Sequence, residues 1–377
     1  MDDRTQPVRI IVAGGGTGGH LFPALAIAEA LRRLEPACEI LFCGADRGIE
    51  SEQVPKRGFP LVTLPVRGLR RGRIWENLRV PADFLRSVVL AIRSLRRFRP
   101  DVVLGTGGYS SAPAVVAAML SGVPFVLQEQ NSWPGLVTRR LSRWAREVYL
   151  SFEDSLRHLR GPSRAVVMGN PVRFQSRKLS RAEARSIFGL PPEGPVVLVF
   201  GGSQGARRIN EVLLEALPSL LAETNASWLW ATGPRHVEGI RQRLDAMPKA
   251  SERVYVLPFI DHMEAAYCAC DLAVCRSGAT TLAELAVMGV PSLLIPFPFA
   301  AEDHQSRNAQ TMAAKGAAVV IRENELTPTR LTATLVELLN QPDRLRQMAR
   351  AASELARPRA AEEIARRILA VARERKA

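Results

Sequence analysis

Hydrophobic and polar positions along the chain define two kinds of alternating segment. Short runs rich in valine, isoleucine and leucine predict buried parallel strands, and longer segments between them have helical spacing, as at Ile27, Leu31 and Leu34. The strands are predicted at 8–13, 39–43, 61–66, 102–105, 125–128, 147–152 and 165–169, and then at 196–200, 227–231, 254–259, 272–275, 292–296 and 318–322. This alternation predicts an α/β fold class with doubly wound parallel sheets.

The pattern also predicts two halves of similar construction. Each half opens with a strand, a glycine-rich turn and a helix, with GGGTGG at 14–19 and GGSQGA at 201–206. The segment 169–195 is rich in proline and glycine and predicts a linker. We therefore expect a first domain at 1–170, a second at 171–348, and a basic helical segment at 349–377 that packs back across them. Pro23 is expected in the first turn of the first helix.

The two glycine-rich turns are candidate sites for a phosphate group. A helix N-terminus after a strand offers unpaired N–H groups and the positive end of the helix dipole to an anion, although glycines also permit a tight turn without any ligand. The first turn contains G-x-G-x-x-G (Gly14, Gly16 and Gly19), which is typical of NAD sites. An NAD site also needs an acid at the end of the second strand, and Asp46 comes three residues after the predicted end at Cys43. Neither turn continues as Gly-Lys-Ser/Thr, so a P-loop is excluded.

An NAD-dependent oxidoreductase would leave the second glycine-rich turn unexplained. A phosphate-bearing ligand shared by the two halves is therefore favoured, and the oxidoreductase stays the alternative. In the second half, a turn of small residues at 277–281 precedes a helix that carries Glu284. This carboxylate can accept hydrogen bonds from two vicinal ribose hydroxyls, or it can simply complement the helix dipole. The polar residues at 302–309 suit sugar hydroxyls or a solvated helix start.

The net charge of +14, from 51 basic and 37 acidic residues, indicates an anionic partner. Between Arg67 and Pro100 there are ten arginines and two acids. An apolar stripe in this stretch predicts a helix that faces the core and leaves the arginines in solvent; its members are Phe84, Leu85, Val88, Val89, Ile92 and Leu95. Alternatively, Leu69, Trp75 and the arginines contact an anionic membrane. Nucleic acid is the least favoured partner because no aromatic motif is interleaved with the basic residues.

Other features limit the class of protein. The five cysteines lie mostly in apolar runs, which predicts reduced core residues of a cytosolic protein. Cys268 and Cys270 have no second pair at zinc spacing, and no D-x-D motif occurs, so no metal site is expected. The first residues include two acids and no apolar core, unlike a signal peptide. The apolar run at 112–127 is interrupted and shorter than the ~20 residues of a membrane span.

Taken together, the motifs resemble the bacterial N-acetylglucosaminyltransferases of peptidoglycan synthesis, of the glycosyltransferase family 28 type. The matching segments follow the order of that family over nearly the whole chain: GGGTGGH (14–20), VLGTGGYSSAP (103–113), QEQN (128–131), GNPVR (169–173), GGSQGAR (201–207), FID (259–261), RSGATTLAE (276–284), DHQ (303–305) and NA (308–309). The resemblance implies a GT-B fold, in which two Rossmann-like domains face each other across a cleft that holds the active site.

The activity implied by the resemblance is an inverting transfer of GlcNAc from UDP-GlcNAc to the 4-hydroxyl of MurNAc in lipid I. This acceptor is undecaprenyl-diphosphate-MurNAc-pentapeptide, and the product is lipid II. No cofactor and no metal are expected, and nucleic acid is not a partner. The resemblance places the enzyme peripherally at the cytoplasmic face of the inner membrane, on an anionic lipid surface.

The resemblance also implies roles for individual residues. In the second domain it assigns substrate contacts to Ser203 and Gln204 (diphosphate), Arg173 and Ile260 (uridine), Ala279, Thr280, Thr281 and Leu282 (nucleotide), Glu284 (ribose) and Gln305 (GlcNAc hydroxyls). In the first domain it assigns Thr17, Gly18, Gly19 and Asn131 to the donor sugar or the acceptor diphosphate.

His20 is the candidate general base, because imidazole exchanges protons near neutral pH. It could instead bind the acceptor diphosphate or fix the loop. Glu129 and Tyr109 are further catalytic candidates from the resemblance. The resemblance implies a histidine before Glu-Gln-Asn, where this chain has Gln128, so no catalytic role is expected at that position. Without a metal, helix N-termini and Arg173 would stabilise the leaving diphosphate.

Overall fold

The computed structural model describes residues 7–68, 77–161, 164–174, 179–202, 204–247, 250–300 and 303–376. The chain forms two compact units. The first comprises the residues up to 173 together with those from 357 onward, and the second comprises residues 174–356. Each unit is described by itself below.

In the described part of the first unit, seven strands form one parallel sheet. They are β1 (Arg9–Ala13), β2 (Glu39–Ala45), β3 (Leu61–Leu64), β4 (Val102–Gly105), β5 (Phe125–Glu129), β6 (Glu147–Leu150) and β7 (Arg164–Val167). Their order in the sheet is β3-β2-β1-β4-β5-β6-β7. The helices before residue 174 are α1 (Gly18–Leu34), α2 (Glu50–Gln53), α3 (Val80–Phe98), α4 (Gly108–Leu120) and α5 (Leu136–Leu141), with 3₁₀ turns at Pro55–Arg57, Ser142–Trp144 and Glu153–His158.

The second unit repeats this construction with a parallel sheet of six described strands in the order β10-β9-β8-β11-β12-β13. The strands are β8 (Val196–Phe200), β9 (Ser227–Ala231), β10 (Val254–Leu257), β11 (Leu272–Cys275), β12 (Ser292–Leu294) and β13 (Ala318–Val320). The helices are α6 (Arg181–Ile187), α7 (Arg207–Glu223), α8 (Val237–Asp245), α9 (Ala250–Arg253), α10 (Met263–Ala269), α11 (Ala279–Met288), α12 (His304–Ala314), α13 (Pro328–Leu339) and α14 (Pro342–Glu354), with a 3₁₀ turn at Glu323–Glu325.

Helices cover both faces of the first sheet. Successive side chains of a strand point to opposite faces, so β1 contributes to two separate cores. Ile10 and Val12 pack in one core with residues of α1, whereas Ile11 and Ala13 pack in the other with residues of α3 and α4. Strands buried on both faces explain the continuous apolar runs in the sequence.

The predicted strands are confirmed in number and type within the described residues. Six of them, among them 102–105, 196–200 and 272–275, differ from the observed bounds by no more than one residue at either end. The larger differences arise where an apolar run continues past the last ladder pair. The run 147–152 is an example, because β6 ends at Leu150.

Three expectations about helices require correction. Pro23 lies inside α1, which begins five residues earlier at Gly18, and it is therefore not in the first turn. Because proline has no N–H, it cannot make the helical hydrogen bond to the carbonyl of Gly19. The predicted linker 169–195 contains α6, whose start has a capping box formed by Ser180 and Glu183.

The predicted C-terminal segment 349–377 is not one continuous helix. Its first residues belong to α14 in the second unit, and the helix that follows, α15 (Ala360–Lys376), belongs to the first unit. α15 packs on α1, where Ile364 and Ile368 join the core of that face. Arg367 donates two hydrogen bonds of 2.7 and 2.6 Å to the carboxylate of Glu147 and so joins this helix to β6.

The apolar stripe on α3 is only partly a core stripe, contrary to the simplest expectation. Val88 and Leu95 are buried, but Leu85 is 66% exposed and Val89 is 44% exposed. Leu69 and Trp75, the other residues considered for a membrane surface, lie outside the described residues. Among the helices that the structure describes, none combines the length and the apolar character that crossing a bilayer requires.

All five cysteines are free thiols, as expected for reduced core residues. Four are buried and Cys38 is half-buried. Burial raises the pKa of the Cys43 thiol to about 12, so this thiol stays protonated and unreactive near neutral pH.

Candidate active site

The first glycine-rich turn connects β1 to α1 and lies against three other segments. Gly16 has a positive φ of 77°, and a Cβ atom there would lie 2.7 Å from the ring of Tyr109. A Cβ atom at Gly14 would lie 1.9 Å from the hydroxyl oxygen of Thr106. Glycine is therefore required at Gly16 by backbone conformation and by space, and at Gly14 by space.

Helix α1 begins immediately after this turn. Thr17 is its N-cap residue, and its side chain makes no capping hydrogen bond. Within the described residues, the N–H groups of Gly18 and Gly19 have no hydrogen-bond partner. Thr17 and Gly19 are exposed. The start of α1 thus has the open backbone donors that a helix N-terminus can offer to an anionic group.

His20 has a defined ring orientation. Its Nδ1 atom lies 2.8 Å from Oε1 of Gln130 and 3.2 Å from the carbonyl oxygen of Thr106. The Nε2 amide of Gln130 donates to the same carbonyl at 2.7 Å, so its Oε1 atom is the acceptor that faces the imidazole. Since a carbonyl cannot donate, Nδ1 must carry the proton. In the neutral ring, Nε2 then holds the lone pair that a general base needs.

Sequence reasoning missed the residues that orient His20. Gln130 connects the imidazole to Gln128, because its Nε2 atom also donates to the side-chain oxygen of Gln128. Gln128 is fully buried and donates to the hydroxyl of Ser151 at 3.4 Å. Gln128 therefore supports Gln130 and makes no contact with His20 itself. The run QEQN (128–131) contains both glutamines. Their part in orienting His20 depends on where the end of β5 places them, which the sequence does not show.

Glu129 is held by its own loop. Its carboxylate is buried and accepts hydrogen bonds from the N–H groups of Asn131, at 3.1 Å, and Gly135, at 2.9 Å. The side-chain amide of Asn131 also faces this carboxylate, at 3.4 Å. Through these contacts Glu129 holds the 131–135 loop in place.

Tyr109, the third catalytic candidate, lies at the start of α4 against Gly16. Burial raises the pKa of its phenol, and the negative charges of Glu50 and Asp46 raise it further. The phenol therefore stays protonated near neutral pH and acts as a hydrogen-bond donor. In the first unit, His20 remains the candidate whose acceptor atom is oriented for proton transfer.

The second glycine-rich turn, between β8 and α7, packs against the end of β9. Gly205 has a φ of 74°, and a Cβ atom there would lie 1.9 Å from the carbonyl oxygen of Thr232. The turn closes with a hydrogen bond of 2.9 Å from the N–H of Gly205 to the carbonyl of Gly202. Gln204 is exposed in this turn, and Ser203 lies outside the described residues.

The start of α11 carries most of the predicted nucleotide contacts. Ala279 and Leu282 are buried, so Leu282 contributes its side chain to the core. Thr280 and Thr281 are half-buried. The hydroxyl oxygen of Thr280 is buried and has no hydrogen-bond partner within the described residues. A buried hydroxyl without a partner is uncommon in folded proteins, and at this helix start it is a group that could accept or donate a hydrogen bond.

Glu284 is anchored by a residue that the sequence did not identify. The phenol of Tyr267 donates a hydrogen bond of 2.9 Å to Oε2 of Glu284. Burial raises the pKa of Tyr267, and the negative charge of Glu284 adds to this, so the phenol remains a donor. Tyr267 is fully buried against the rings of Phe174 and Phe200. The hydrogen bond from Tyr267 therefore fixes the orientation of the carboxylate.

The loop after β12 positions Gln305. Its Oε1 atom accepts a hydrogen bond of 3.0 Å from the N–H of Phe297, which directs the side chain toward this loop. The backbone carbonyl of Gln305 accepts from the buried hydroxyl of Ser277 at 2.8 Å. Ser277 directly precedes the N-cap of α11, so Gln305 and the start of α11 form one cluster in the second unit.

The two predicted uridine contacts are Ile260 and Arg173, and neither lies at the start of α11. Ile260 is buried in the core with Tyr267 and Leu282, so a nucleotide could contact only its backbone. Arg173 is the last residue before the second unit, and its Nε atom lies 3.8 Å from a carboxylate oxygen of Glu29 on α1. Its side chain is 47% exposed.

One argument against a dinucleotide site is wrong. β2 extends to Ala45, two residues beyond the predicted end, so Asp46 directly follows the strand. An acid at this position is what a dinucleotide fold provides. The position of Asp46 therefore does not distinguish an NAD site from a site for another phosphate-bearing ligand. The comparisons with known proteins distinguish the two hypotheses.

Two family models match the chain. The glycosyltransferase family 28 N-terminal domain matches residues 10–150, and the glycosyltransferase family 28 C-terminal domain matches residues 196–364. Together they cover most of the chain, one model for each unit.

Curated relatives match nearly the full length. A Carboxydothermus hydrogenoformans protein is 42% identical over 359 residues, which cover 95% of this chain and 96% of the relative. A Chlorobaculum tepidum protein is 42% identical over 370 residues, which cover 97% of this chain and 100% of the relative. Both are named UDP-N-acetylglucosamine--N-acetylmuramyl-(pentapeptide) pyrophosphoryl-undecaprenol N-acetylglucosamine transferase.

Solved structures agree with these relatives. Acinetobacter baumannii MurG superposes with a TM-score of 0.76 at 30% identity, covering 97% of this chain and 100% of that one. The glycosyltransferase VinC, solved in complex with dTDP, has a TM-score of 0.65 at 18% identity, covering 97% and 100% of the two chains, and shows a shared fold alone.

The hydrogen bonds of His20 predict its tautomer. Neutral His20 should carry its proton on Nδ1, so a ¹H–¹⁵N correlation spectrum should show its Nε2 resonance at the shift of an unprotonated ring nitrogen. Gln130→Ala removes one of two acceptors and should increase the fraction protonated on Nε2. His20→Gln identifies the resonance by its disappearance. A predominantly Nε2-protonated ring in the unmodified protein would contradict the prediction.

Proposed function

The chain belongs to the glycosyltransferase family 28, with the predicted GT-B fold class, and from this premise we propose the reaction it catalyses. It transfers GlcNAc from UDP-GlcNAc to the 4-hydroxyl of MurNAc in undecaprenyl-diphosphate-MurNAc-pentapeptide (lipid I) and forms lipid II. The full-length relatives named for this transferase support the assignment. The observation that carries the mechanism is the His20 ring, whose Nδ1 proton is fixed by Thr106 and Gln130.

We propose that the first unit binds the acceptor. The open N–H groups of Gly18 and Gly19 would bind the acceptor diphosphate, with Thr17 and Asn131 beside them. Nε2 of His20 would remove the proton from the 4-hydroxyl as its oxygen attacks the anomeric carbon of GlcNAc. Attack from the side opposite the leaving group inverts the configuration at that carbon. Proton transfer to a positioned histidine contributes about 10²–10⁴-fold to such reactions.

We propose that the second unit binds the donor. Glu284, oriented by Tyr267, would accept hydrogen bonds from the ribose hydroxyls, and the start of α11 would bind the nucleotide with the Thr280 hydroxyl as one contact. As the bond between the anomeric carbon and the diphosphate oxygen breaks, negative charge develops on the leaving UDP. The N-termini of α7 and α11 would stabilise that charge, together with Ser203 and Gln204. Gln305 would hold the GlcNAc hydroxyls.

The transfer assay tests the reaction directly. With UDP-GlcNAc and a soluble lipid I analogue, the protein should release UDP and form the disaccharide product, whereas UDP-Glc and UDP-GalNAc serve as donor comparisons. His20→Ala should lower kcat by about 10²–10⁴-fold with little change in the donor KM. His236→Ala, in the second unit, is the matched control and should behave as the unmodified enzyme. Absence of UDP release by the unmodified protein, or wild-type turnover by His20→Ala, would refute the respective claim.

Donor binding should depend on the Tyr267–Glu284 pair. A hydrogen bond to a charged group contributes about 1.5–3 kcal/mol, so Glu284→Ala should raise the donor KM at least about tenfold. Tyr267→Phe should produce a smaller rise, because it frees the carboxylate without removing it. Tyr255→Phe is the control, since within the described residues the phenol of Tyr255 donates to the backbone carbonyl of Glu252 and not to a carboxylate. An unchanged donor KM in Glu284→Ala would exclude the ribose role.

We propose that the enzyme works peripherally at the cytoplasmic face of the membrane that holds its lipid-linked acceptor. Leu85 and Val89 lie one turn apart on α3 and are exposed, and the exposed Arg86 and Arg93 lie on the same helix. Apolar side chains flanked by arginines suit an anionic lipid surface, where each basic residue contributes about 1 kcal/mol. We propose no nucleic-acid partner.

Vesicle sedimentation measures this surface. The protein should bind phosphatidylglycerol vesicles more tightly than phosphatidylcholine vesicles. The double variant Leu85→Glu and Val89→Glu should reduce binding to the anionic vesicles by about tenfold or more, since inserted aliphatic side chains contribute up to about 1.5–3 kcal/mol each. Ile187→Glu alters an equally exposed aliphatic residue of the second unit and should have no effect. Equal binding by the double variant would place the lipid contact elsewhere.

A further inference from the structure

A fully buried carboxylate lies directly beneath the first glycine-rich turn. Glu50, the first residue of α2, has no exposed surface. Its Oε1 and Oε2 atoms accept the N–H of Gly16 at 3.1 and 2.9 Å. Oε1 also accepts the N–H of Ala45 at 2.8 Å. The end of β2 and the turn after β1 are therefore joined through one side chain.

Three glycines leave room for this side chain. A Cβ atom at Gly15 would lie 2.3 Å from the carboxyl carbon of Glu50, one at Gly48 would lie 2.1 Å from Oε2, and one at Gly44 would lie 2.6 Å from its Cγ atom. Gly44 and Gly48 have ordinary φ values, so space alone explains glycine at these two positions. The surroundings of Glu50 are thus shaped to a carboxylate at this depth.

The electrostatics are unusual for a buried acid. Within the described residues no cation forms an ion pair with Glu50, and its hydrogen bonds come from backbone N–H groups. Burying an unpaired carboxylate is costly unless such donors compensate it. The positive end of α1 begins two residues after Gly16 and favours a negative charge here.

This arrangement changes how the G-x-G-x-x-G pattern functions. In such turns the N–H groups bind a ligand phosphate. Here the N–H of Gly16 is already bound to the protein's own anion, and the ring of Tyr109 covers the other side of Gly16. The N–H groups of Gly18 and Gly19, in the first turn of α1, are not held by Glu50 and stay available to a ligand.

We propose that Glu50 is the positioning residue of the first glycine-rich turn. By holding Gly16, it fixes Thr17 to His20 and directs the acceptor diphosphate to the N–H groups of Gly18 and Gly19. The acceptor part of this inference rests on the proposed function. Glu50 itself contacts neither substrate.

The test compares Glu50→Gln and Glu50→Ala with Glu52→Gln and Glu52→Ala. Glu52 lies on the same short helix, but its side chain is exposed and pairs with Lys56. Glu50→Gln keeps the shape but places an amide donor against a backbone donor. It should lower kcat/KM for the acceptor by about tenfold to a hundredfold while the donor KM stays within about twofold of the unmodified enzyme. The Glu52 variants should retain both parameters.

Chemical rescue separates positioning from general damage. Acetate corresponds to the CH2–carboxylate group that Glu50→Ala removes, so added acetate should restore part of the acceptor kcat/KM in a saturable manner. It should not alter the unmodified enzyme or Glu52→Ala. If Glu50→Ala does not fold, Glu50→Gln decides alone. Unchanged acceptor kcat/KM in the Glu50 variants, or equal losses toward donor and acceptor, would overturn the proposal.

Hydrogen exchange supplies a readout that does not require activity. A peptide that contains Gly16 should exchange its amide protons faster in Glu50→Gln than in the unmodified protein or in Glu52→Gln. If the unmodified protein shows no transfer but Glu50→Gln still speeds the exchange, then the proposed function is wrong and Glu50 nevertheless holds the turn. Unaltered exchange would refute the role of Glu50 whatever the activity.

Discussion

The order of the parallel strands is the constraint on which the candidate site depends. In a parallel sheet all strands end at the same edge, so residues that follow neighbouring strands meet there. β1, β4 and β5 are adjacent in the first sheet, and they are followed by His20, Thr106 and Gln130. These three residues form the histidine network although up to 110 positions separate them. In the second sheet, β8 and β11 are neighbours. The second glycine-rich turn and the start of α11 follow these strands, so they lie at the same edge of that sheet.

Backbone N–H groups compensate the charge of two buried acids in the first unit. Glu50 and Glu129 are both buried, and both direct their carboxylates at loop amides. Each fixes the loop that follows a strand, one after β1 and one after β5. Such hydrogen bonds to an ionised acceptor are shorter and stronger than those between neutral groups. The loops around His20 are therefore held by side chains that need not touch a substrate, and rigidity of this kind is what a proton acceptor at a fixed position requires.

Much of this could be predicted from the sequence, and the failures have physical causes. Strands buried on both faces produce apolar runs that are easy to recognise, and His20 and Glu284 lie within readable motifs. Glu50 could not be assigned because its partner Gly16 is 34 residues away and nothing local distinguishes it from the exposed Glu52. Tyr267 and Gln130 likewise acquire their roles through tertiary contacts. The start of α6 was readable, since Ser180 and Glu183 form a capping box, but the surrounding prolines and glycines favoured a linker.

The C-terminal helix α15 has a consequence for how the protein is made. Residues 174–356 form the second unit as one uninterrupted stretch of chain, whereas the first unit needs both residues before 174 and those after 356. Domains usually fold in the order in which the ribosome delivers them. Here the N-terminal sheet can complete its core only after α15 has been synthesised, because Ile364 and Ile368 pack in that core beside α1. The second unit can complete its folding first, and until α15 is available the first unit exposes the apolar face that this helix covers.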